Sequence, residues 1–236
     1  MVELRYKGLR LEIPESIYSP SDDTDMLAET LKVARGARVL DMCAGSGVLG
    51  LLAARRAREV LLADDDPVAV EAARANALRN GFGNVRVVQS DLFRNVEGTF
   101  DLIVFNPPYL PQGEGSEYLE LYDETQKRWR NVGFHAWDGG PDGRRIIDRF
   151  LETFEPHLAS RGRLHMIGST LSDYARTVEA LEGAGFAARV AASRRYFFEE
   201  VVVLSAARRS PGPPAGRGRR AQSQAAMPPT KNISRL

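Results

Sequence analysis

Three successive apolar segments of this chain close on an aspartate, Asp41, Asp64 and Asp91, and a fourth closes on Asn106. The segments are Arg38 to Met42, Val60 to Ala63, Val85 to Gln89 and Leu102 to Phe105. The last is apolar without alternation, which suits a parallel strand covered on both faces. Helix-length stretches separate the first three: one runs to about Ala57, the next from Val68 to Arg79, entered through Asp66-Pro67 and left through Asn80-Gly81. A capping aspartate, a proline in the first turn and Asn-Gly after the last turn are start and stop signals for a helix. Strands alternating with helices give an α/β sheet. Such sheets bind ligands beyond the carboxyl ends of their strands, so the register brings four polar side chains to one edge.

The remaining segments extend this plan. Leu4, Tyr6, Leu9, Leu11 and Ile13 alternate around Lys7-Gly8, the pattern of a small hairpin. The polar stretch Tyr18 to Thr24 is expected to cap a helix from about Asp25 to Arg35. Downstream come a helix from Arg144 to Leu158, a strand from Arg163 to Gly168, a helix from Ser172 to Glu182, and a closing hairpin of Phe186 to Ala192 with Tyr196 to Leu204. The expectation is one Rossmann-like α/β domain with a mostly parallel seven-stranded sheet and an antiparallel edge strand. Residues 1–25 would form a hairpin and lid, 26–208 the main domain, and 209–236 a disordered basic tail.

At 236 residues, with 43% hydrophobic and 27% charged side chains, the chain suits one soluble domain. Met1 to Arg10 holds no apolar core of a signal peptide, and no apolar run approaches the roughly 20 residues of a membrane span. One cysteine, Cys43, excludes an internal disulfide, and three scattered histidines offer no metal-ligand spacing. A cytoplasmic enzyme without structural metal or membrane contact is expected. Six of the 32 basic residues lie in the tail, which has no acid and hardly any large apolar residue. That tail reads as an inert basic extension or as a nucleic-acid or ribosome tether, whereas the acidic body argues against a dedicated DNA-binding surface.

The chemistry is expected at Asn106-Pro107-Pro108-Tyr109. The prolines fix their own φ and push Asn106 to an extended conformation. The side-chain carbonyl of Asn106 and the backbone carbonyl of Pro107 are then two acceptors beside a flat wall, Tyr109. Two acceptors can hold both hydrogens of a planar NH2 and aim its nitrogen at an electrophile. Taken alone, the four residues also make an ordinary turn. Gly45, Gly47 and Gly50 satisfy G-x-G-x-x-G and let backbone approach a ligand at a helix N-terminus, so a dinucleotide reading stays open. Asp64 stands where ribose hydroxyls would be bound. Asp91 can accept from the exocyclic amine of adenine while Leu92 packs the ring, or it can simply cap a turn. Thr24 either meets a cofactor's methionine end from a lid or belongs to a helix cap. The long stretch from Leu110 to Gly140 carries Glu114, Glu117, Glu120, Asp123 and Glu124, then Lys127, Arg128 and Arg130, a solvated charged face or a guide for a macromolecule. It closes at Trp137 to Gly143, expected to turn back beside Asn106.

These residues resemble the class I S-adenosylmethionine-dependent methyltransferases, and within them the HemK-like glutamine methyltransferases that modify the Gly-Gly-Gln loop of translation release factors. Tyr18 to Thr24, Asn106 to Tyr109 and Trp137-Asp138-Gly139-Gly140-Pro141-Asp142-Gly143-Arg144 look most like the eukaryotic and archaeal branch. The similarity covers about residues 10 to 205. It implies that S-adenosylmethionine is held by Thr24, Asp41, Gly45, Gly47, Asp64, Asp91, Leu92 and Asn106. Asn106, Pro107, Pro108 and Tyr109 would hold the acceptor amide, with Asn106, Pro107 and Tyr109 carrying the reaction. Cys43 departs from the family, standing where the glycine-rich motif commonly has its first glycine; no sequence-adjacent His or Lys activates it, and a structural role is expected. Relatives of that branch work with a small zinc-binding activator protein. The function expected is methyl transfer to a glutamine amide of a protein, a release factor foremost. The alternatives are a nucleic-acid base, a lysine or a small molecule as acceptor, a nicotinamide dehydrogenase, and a noncatalytic cofactor-binding protein.

Overall fold

The computed structural model describes residues 1–112 and 136–209. The charged stretch from Glu114 to Arg130 and the basic tail beyond Arg209 lie outside the described residues. A two-stranded hairpin, β1 (Val2–Tyr6) and β2 (Leu9–Ile13), precedes helix α1 (Asp22–Thr30). Then follow β3 (Arg38–Met42), α2 (Val48–Ala54), β4 (Glu59–Asp64), α3 (Pro67–Arg79), β5 (Val85–Gln89) and β6 (Phe100–Phe105). The second half comprises α4 (Arg145–Thr153), β7 (Leu158–Ser169), α5 (Tyr174–Gly183), β8 (Phe186–Arg195) and β9 (Glu200–Arg208).

The seven-stranded sheet has the order β5-β4-β3-β6-β7-β9-β8. The pairs from β5 through β7 are parallel, and β9 runs antiparallel to both β7 and β8. The reversed strand is therefore one place in from the edge. Strand order changes direction between β3 and β6, where Met42 lies opposite Phe105. A crevice at the carboxyl ends of these strands is the usual ligand site of an open α/β sheet, and Asn106 is the next residue after that pair.

Strand β6 is covered on both faces, as its lack of alternation predicts. Leu102 and Val104 enter the layer packed by α1, α2 and α3, while Ile103 and Phe105 enter a second layer rich in phenylalanine. In that layer Phe105 stacks on Phe150 of α4 at 3.9 Å between ring centroids. Burying side chains of this size contributes about 1.5–3 kcal/mol each.

Several element boundaries differ from the sequence expectation: β7 begins at Leu158 rather than Arg163, β9 at Glu200 rather than Tyr196, and two helices shift. Helix α1 occupies Asp22–Thr30 rather than Asp25 to Arg35. Its first turn holds Asp22, Asp23 and Asp25, favourable charges at a helix N-terminus, and a tyrosine hydroxyl donates to each. Tyr196 donates to Asp22 Oδ2 at 2.9 Å, Tyr18 to Asp23 Oδ2 at 3.0 Å and Tyr6 to Asp25 Oδ1 at 2.6 Å. The helix expected to reach Leu158 stops at Thr153, because Pro156 sits in a separate turn, Glu155–His157, after which β7 begins at once.

The hairpin is fastened to α3 by two asparagines one helical turn apart. Asn76 Oδ1 accepts from the Glu12 N–H at 2.8 Å, and its Nδ2 donates to the Glu12 carbonyl at 3.1 Å. Asn80 does the same for Arg10, at 2.9 Å and 2.8 Å. Residues i and i+4 of a helix and i and i+2 of a strand have nearly the same rise, about 6 Å against about 6.8 Å, so the two amides act as a partner strand for the free edge of β2. Among the described residues no helix is long and apolar enough to cross a membrane, and no group of three His, Cys, Asp or Glu is placed to hold a metal ion.

Candidate active site

A cavity of about 400 Å³ opens at the carboxyl ends of β3, β4, β5 and β6, a size in the range that encloses small-molecule ligands. Thr24, Gly45, Asp64, Asp91, Leu92, Asn106, Pro107, Pro108 and Tyr109 all line it. Asp41 and Gly47 do not reach its wall. Asp41 is buried beneath the glycine loop, where its Oδ2 accepts from the Gly50 N–H at 2.7 Å and so ties the first turn of α2 to β3. Its Oδ1 has no partner, and burial pushes its pKa up to about 8.

The glycine loop depends on left-handed backbone. Gly47, the residue preceding α2, has φ +82°, and a Cβ there would stand 2.9 Å from Leu62 Cδ1. Cys43 has φ +56°. It keeps the conformation that a glycine adopts freely, at a cost of about 1–2 kcal/mol for a side-chain-bearing residue. Burial and the surrounding aspartates raise its thiol pKa well above the ordinary value, which disfavours the reactive thiolate.

Asp64 clasps this loop: its Oδ2 accepts from the Gly45 N–H at 2.8 Å and its Oδ1 from the Asp66 N–H at 3.1 Å. Burial outweighs these two bonds and raises its pKa to about 6. Asp91 does not cap the turn Leu92–Asn95 that follows it. It pairs instead with Arg149 of α4 at 2.8 Å, while Leu92, at φ +48°, turns into the cavity beside it. Val68 and Ala69 complete an apolar patch between Asp64 and Leu92.

On the opposite side Asn106 presents an unsatisfied atom. Its Oδ1 is buried and has no partner, while its Nδ2 donates to Asp23 Oδ2 at 3.3 Å. The next residues are clamped by the segment that the sequence places alongside them. Leu110 N–H donates to the Trp137 carbonyl at 3.0 Å, and Gly139 N–H donates to the Leu110 carbonyl at 2.8 Å. Asp138 lies opposite Leu110 in a parallel bridge; its Oδ1 accepts from Gly140 N–H at 2.8 Å and its Oδ2 pairs with Arg145 at 3.0 Å. Gly143, at φ +73°, packs so closely that a Cβ would meet the Tyr109 carbonyl oxygen at 2.3 Å.

The sequence reading missed several lining residues. Asp22, Asp23 and Tyr18 lie in the segment read as a helix cap, and Tyr196, Phe198 and Glu199 come from the turn between β8 and β9. Glu199 is buried, accepts from Ser169 Oγ at 2.7 Å and has its pKa raised by burial. The paired acids at Asp22-Asp23 were a signal that could have been followed. For Tyr196, 174 residues from Asp22, the chain offers no local sign.

The residues fit S-adenosylmethionine on their own chemistry. Two carboxylates on successive strands flank an apolar slot suited to a nucleoside, and a buried acceptor lacks a donor. Comparison with known proteins agrees with that fit. Residues 18–122 match the family described as Methyltransferase small domain. The chain is 34% identical over 190 residues to an inferred protein N5-glutamine methyltransferase of Methanocaldococcus jannaschii, covering 80% of this chain and 90% of that one. It is 32% identical over 184 residues to a release factor glutamine methyltransferase of Mycolicibacterium smegmatis, covering 75% of this chain and 62% of that longer one. Among solved structures, Mtq2 of E. cuniculi, in complex with Trm112 and described as responsible for methylating the termination factor eRF1, superposes with a TM-score of 0.61 at 22% identity, covering 82% of this chain and 99% of that one.

Proposed function

This chain belongs to the class I S-adenosylmethionine-dependent methyltransferases, in the family of the protein glutamine methyltransferases, and from that premise we propose that it methylates the side-chain amide of a glutamine in a translation release factor. One observation carries the choice of a planar nitrogen: the buried, partnerless Oδ1 of Asn106, a residue that lines the cavity at the switch point of the sheet. A buried carbonyl left without a donor costs about 1–3 kcal/mol, and an incoming amide N–H removes that cost.

In this reading Gly45, Asp64, Asp91 and Leu92 hold the cofactor, with Thr24 closing over its methionine end and Asp41 supporting the loop from beneath. Bound there, S-adenosylmethionine supplies an electrophilic methyl group on a sulfonium. Asn106 Oδ1 and the Pro107 carbonyl each accept one hydrogen of the glutamine NH2, Pro108 fixes the corner, and Tyr109 covers one face of the amide. Held by those two acceptors, the amide nitrogen would be aimed at the methyl group that the bound sulfonium would supply, and would give up one N–H proton to solvent on transfer. No strong base is required; holding the reactants in line can supply about 7–11 kcal/mol. A small zinc-binding activator protein belongs to the same proposal; the presence of Trm112 in the E. cuniculi complex supports a partner protein, and its zinc-binding and activating character rest on the family resemblance alone.

The test is to incubate the purified chain, alone and with such an activator, with radiolabelled S-adenosylmethionine and a release factor. A second sample carries the factor with the glutamine of its Gly-Gly-Gln loop replaced. Label on the first factor and not on the second is expected; equal label on both would overturn the acceptor assignment.

A further inference from the structure

We propose that Asp23 is a positioning residue for Asn106, taking its amide NH2 and so leaving its carbonyl oxygen turned toward the cavity. The proposal rests on the function above and concerns how its acceptor site is set. An asparagine side chain has nearly the same shape in its two amide orientations, so hydrogen-bond partners decide which end points where. For Asn106 the decision lies at one contact, Nδ2 to Asp23 Oδ2 at 3.3 Å. Turned the other way, the carbonyl would face a carboxylate oxygen and the cavity would receive donors, which cannot hold an NH2 group.

Asp23 is itself built to be an acceptor. It is 6% exposed and accepts from the Thr24 N–H at 2.5 Å, the Thr24 hydroxyl at 3.1 Å and the Tyr18 hydroxyl at 3.0 Å. Burial raises the Asp23 pKa, against the hydrogen bonds from Thr24, Tyr18 and Asn106 that lower it; the Thr24 N–H cannot reverse its role, and the side chain lies in the first turn of α1, where the helix favours negative charge. That turn is anchored on both sides of Asp23 by Tyr196 to Asp22 and Tyr6 to Asp25. The turn that brings Thr24 to the cavity thus also orients the acceptor oxygen.

Asp23→Asn keeps the shape but exchanges one oxygen for an NH2 group. The Thr24 N–H holds the remaining oxygen, so the new NH2 faces Asn106, which turns over and offers donors to the cavity. With the release factor as substrate, kcat should fall about 100-fold, the effect of losing one well-placed polar contact in a reacting site. The dissociation constant for S-adenosylmethionine should stay within threefold, and thermal unfolding should be unchanged. The double variant D23N/N106D restores a donor facing an acceptor, with an oxygen toward the cavity, and should recover at least tenfold of the lost kcat. A wild-type kcat in D23N, a loss confined to cofactor affinity, or a double variant no better than D23N would each overturn the proposal. The NMR resonances of the Asn106 side-chain NH2 in the substrate-free enzyme give a reading that needs no acceptor. They should be protected from exchange in the wild type and lose protection in D23N; identical exchange in both would overturn the proposal even if the release factor were the wrong substrate. Failure of the wild type to label the factor while the NMR difference holds would instead overturn only the acceptor assignment.

Discussion

On one side of the cavity, Gly45, Asp64, Asp91 and Leu92 stand at the ends of consecutive β–α units, and the bond from Gly45 to Asp64 spans only 19 residues. On the other side, Asn106 is held by Asp23, 83 residues upstream, and the carbonyl of Tyr109 is backed by Gly143 from beyond the long charged stretch. The first side is a property of neighbouring strands, and its parts follow from their own segments. The second is assembled where distant pieces meet. Its geometry therefore depends on more of the molecule, and substitutions there should lower turnover far more than they lower cofactor binding.

The sharpest test of that contrast is Asn106→Ala, which should reduce kcat by about 10²–10³-fold while cofactor titration still shows binding. Loss of binding in step with turnover would erase the distinction between the two sides. Next in size is Gly143→Ala, which needs a side chain at φ +73° and within 2.3 Å of the Tyr109 carbonyl oxygen. Displacing that corner by about an ångström should cost on the order of 10²-fold in kcat, read by steady-state assay. Asn76→Ala removes the bonds to Glu12 and to the Ser46 carbonyl; thermal or urea unfolding should show a loss of about 1–3 kcal/mol.

On the cofactor side the effect should be one of pH. The Asp64 pKa, raised to about 6 by burial, means that the carboxylate able to accept ribose hydroxyls is present above that value. Affinity for S-adenosylmethionine should decline as pH falls through about 6, and calorimetric titration of Asp64→Asn should show a weaker but flatter profile. The smallest effect is expected at Cys43→Gly, which relieves the φ of +56°; turnover should stay within about twofold, since relief of about 1–2 kcal/mol falls on the resting fold.

What was legible in the sequence divides along the same line. The strand ends, the Asp66-Pro67 and Asn80-Gly81 signals and the glycine loop before α2 are local, and each appears where its segment placed it. The start of α1 lies three residues before the expected Asp25 because Asp22 and Asp23 read as a polar approach to a helix, whereas tyrosine hydroxyls from β1, the preceding loop and the β8–β9 turn let Asp22, Asp23 and Asp25 form its first turn. Asp23 and Glu199 were not named as site residues for the same reason: their meaning lies in partners that sequence spacing does not bring together. Asp41 was expected at the ligand, yet the turn from β3 into α2 folds over it and leaves it beneath the loop.

The fastening of β2 by Asn76 and Asn80 has a consequence for the order of assembly. The hairpin precedes α3, and the groups that satisfy its free edge lie some 64 to 70 residues later in the chain. Closing so long a loop precedes any gain from the contact it makes. Until α3 has formed, β2 has an open edge, and Asn76 has not yet joined it to the carbonyl of Ser46 in the glycine loop. The hairpin is thus locked only once α3 is in place, and a change in it would reach the cofactor loop through a helix that it does not adjoin in sequence.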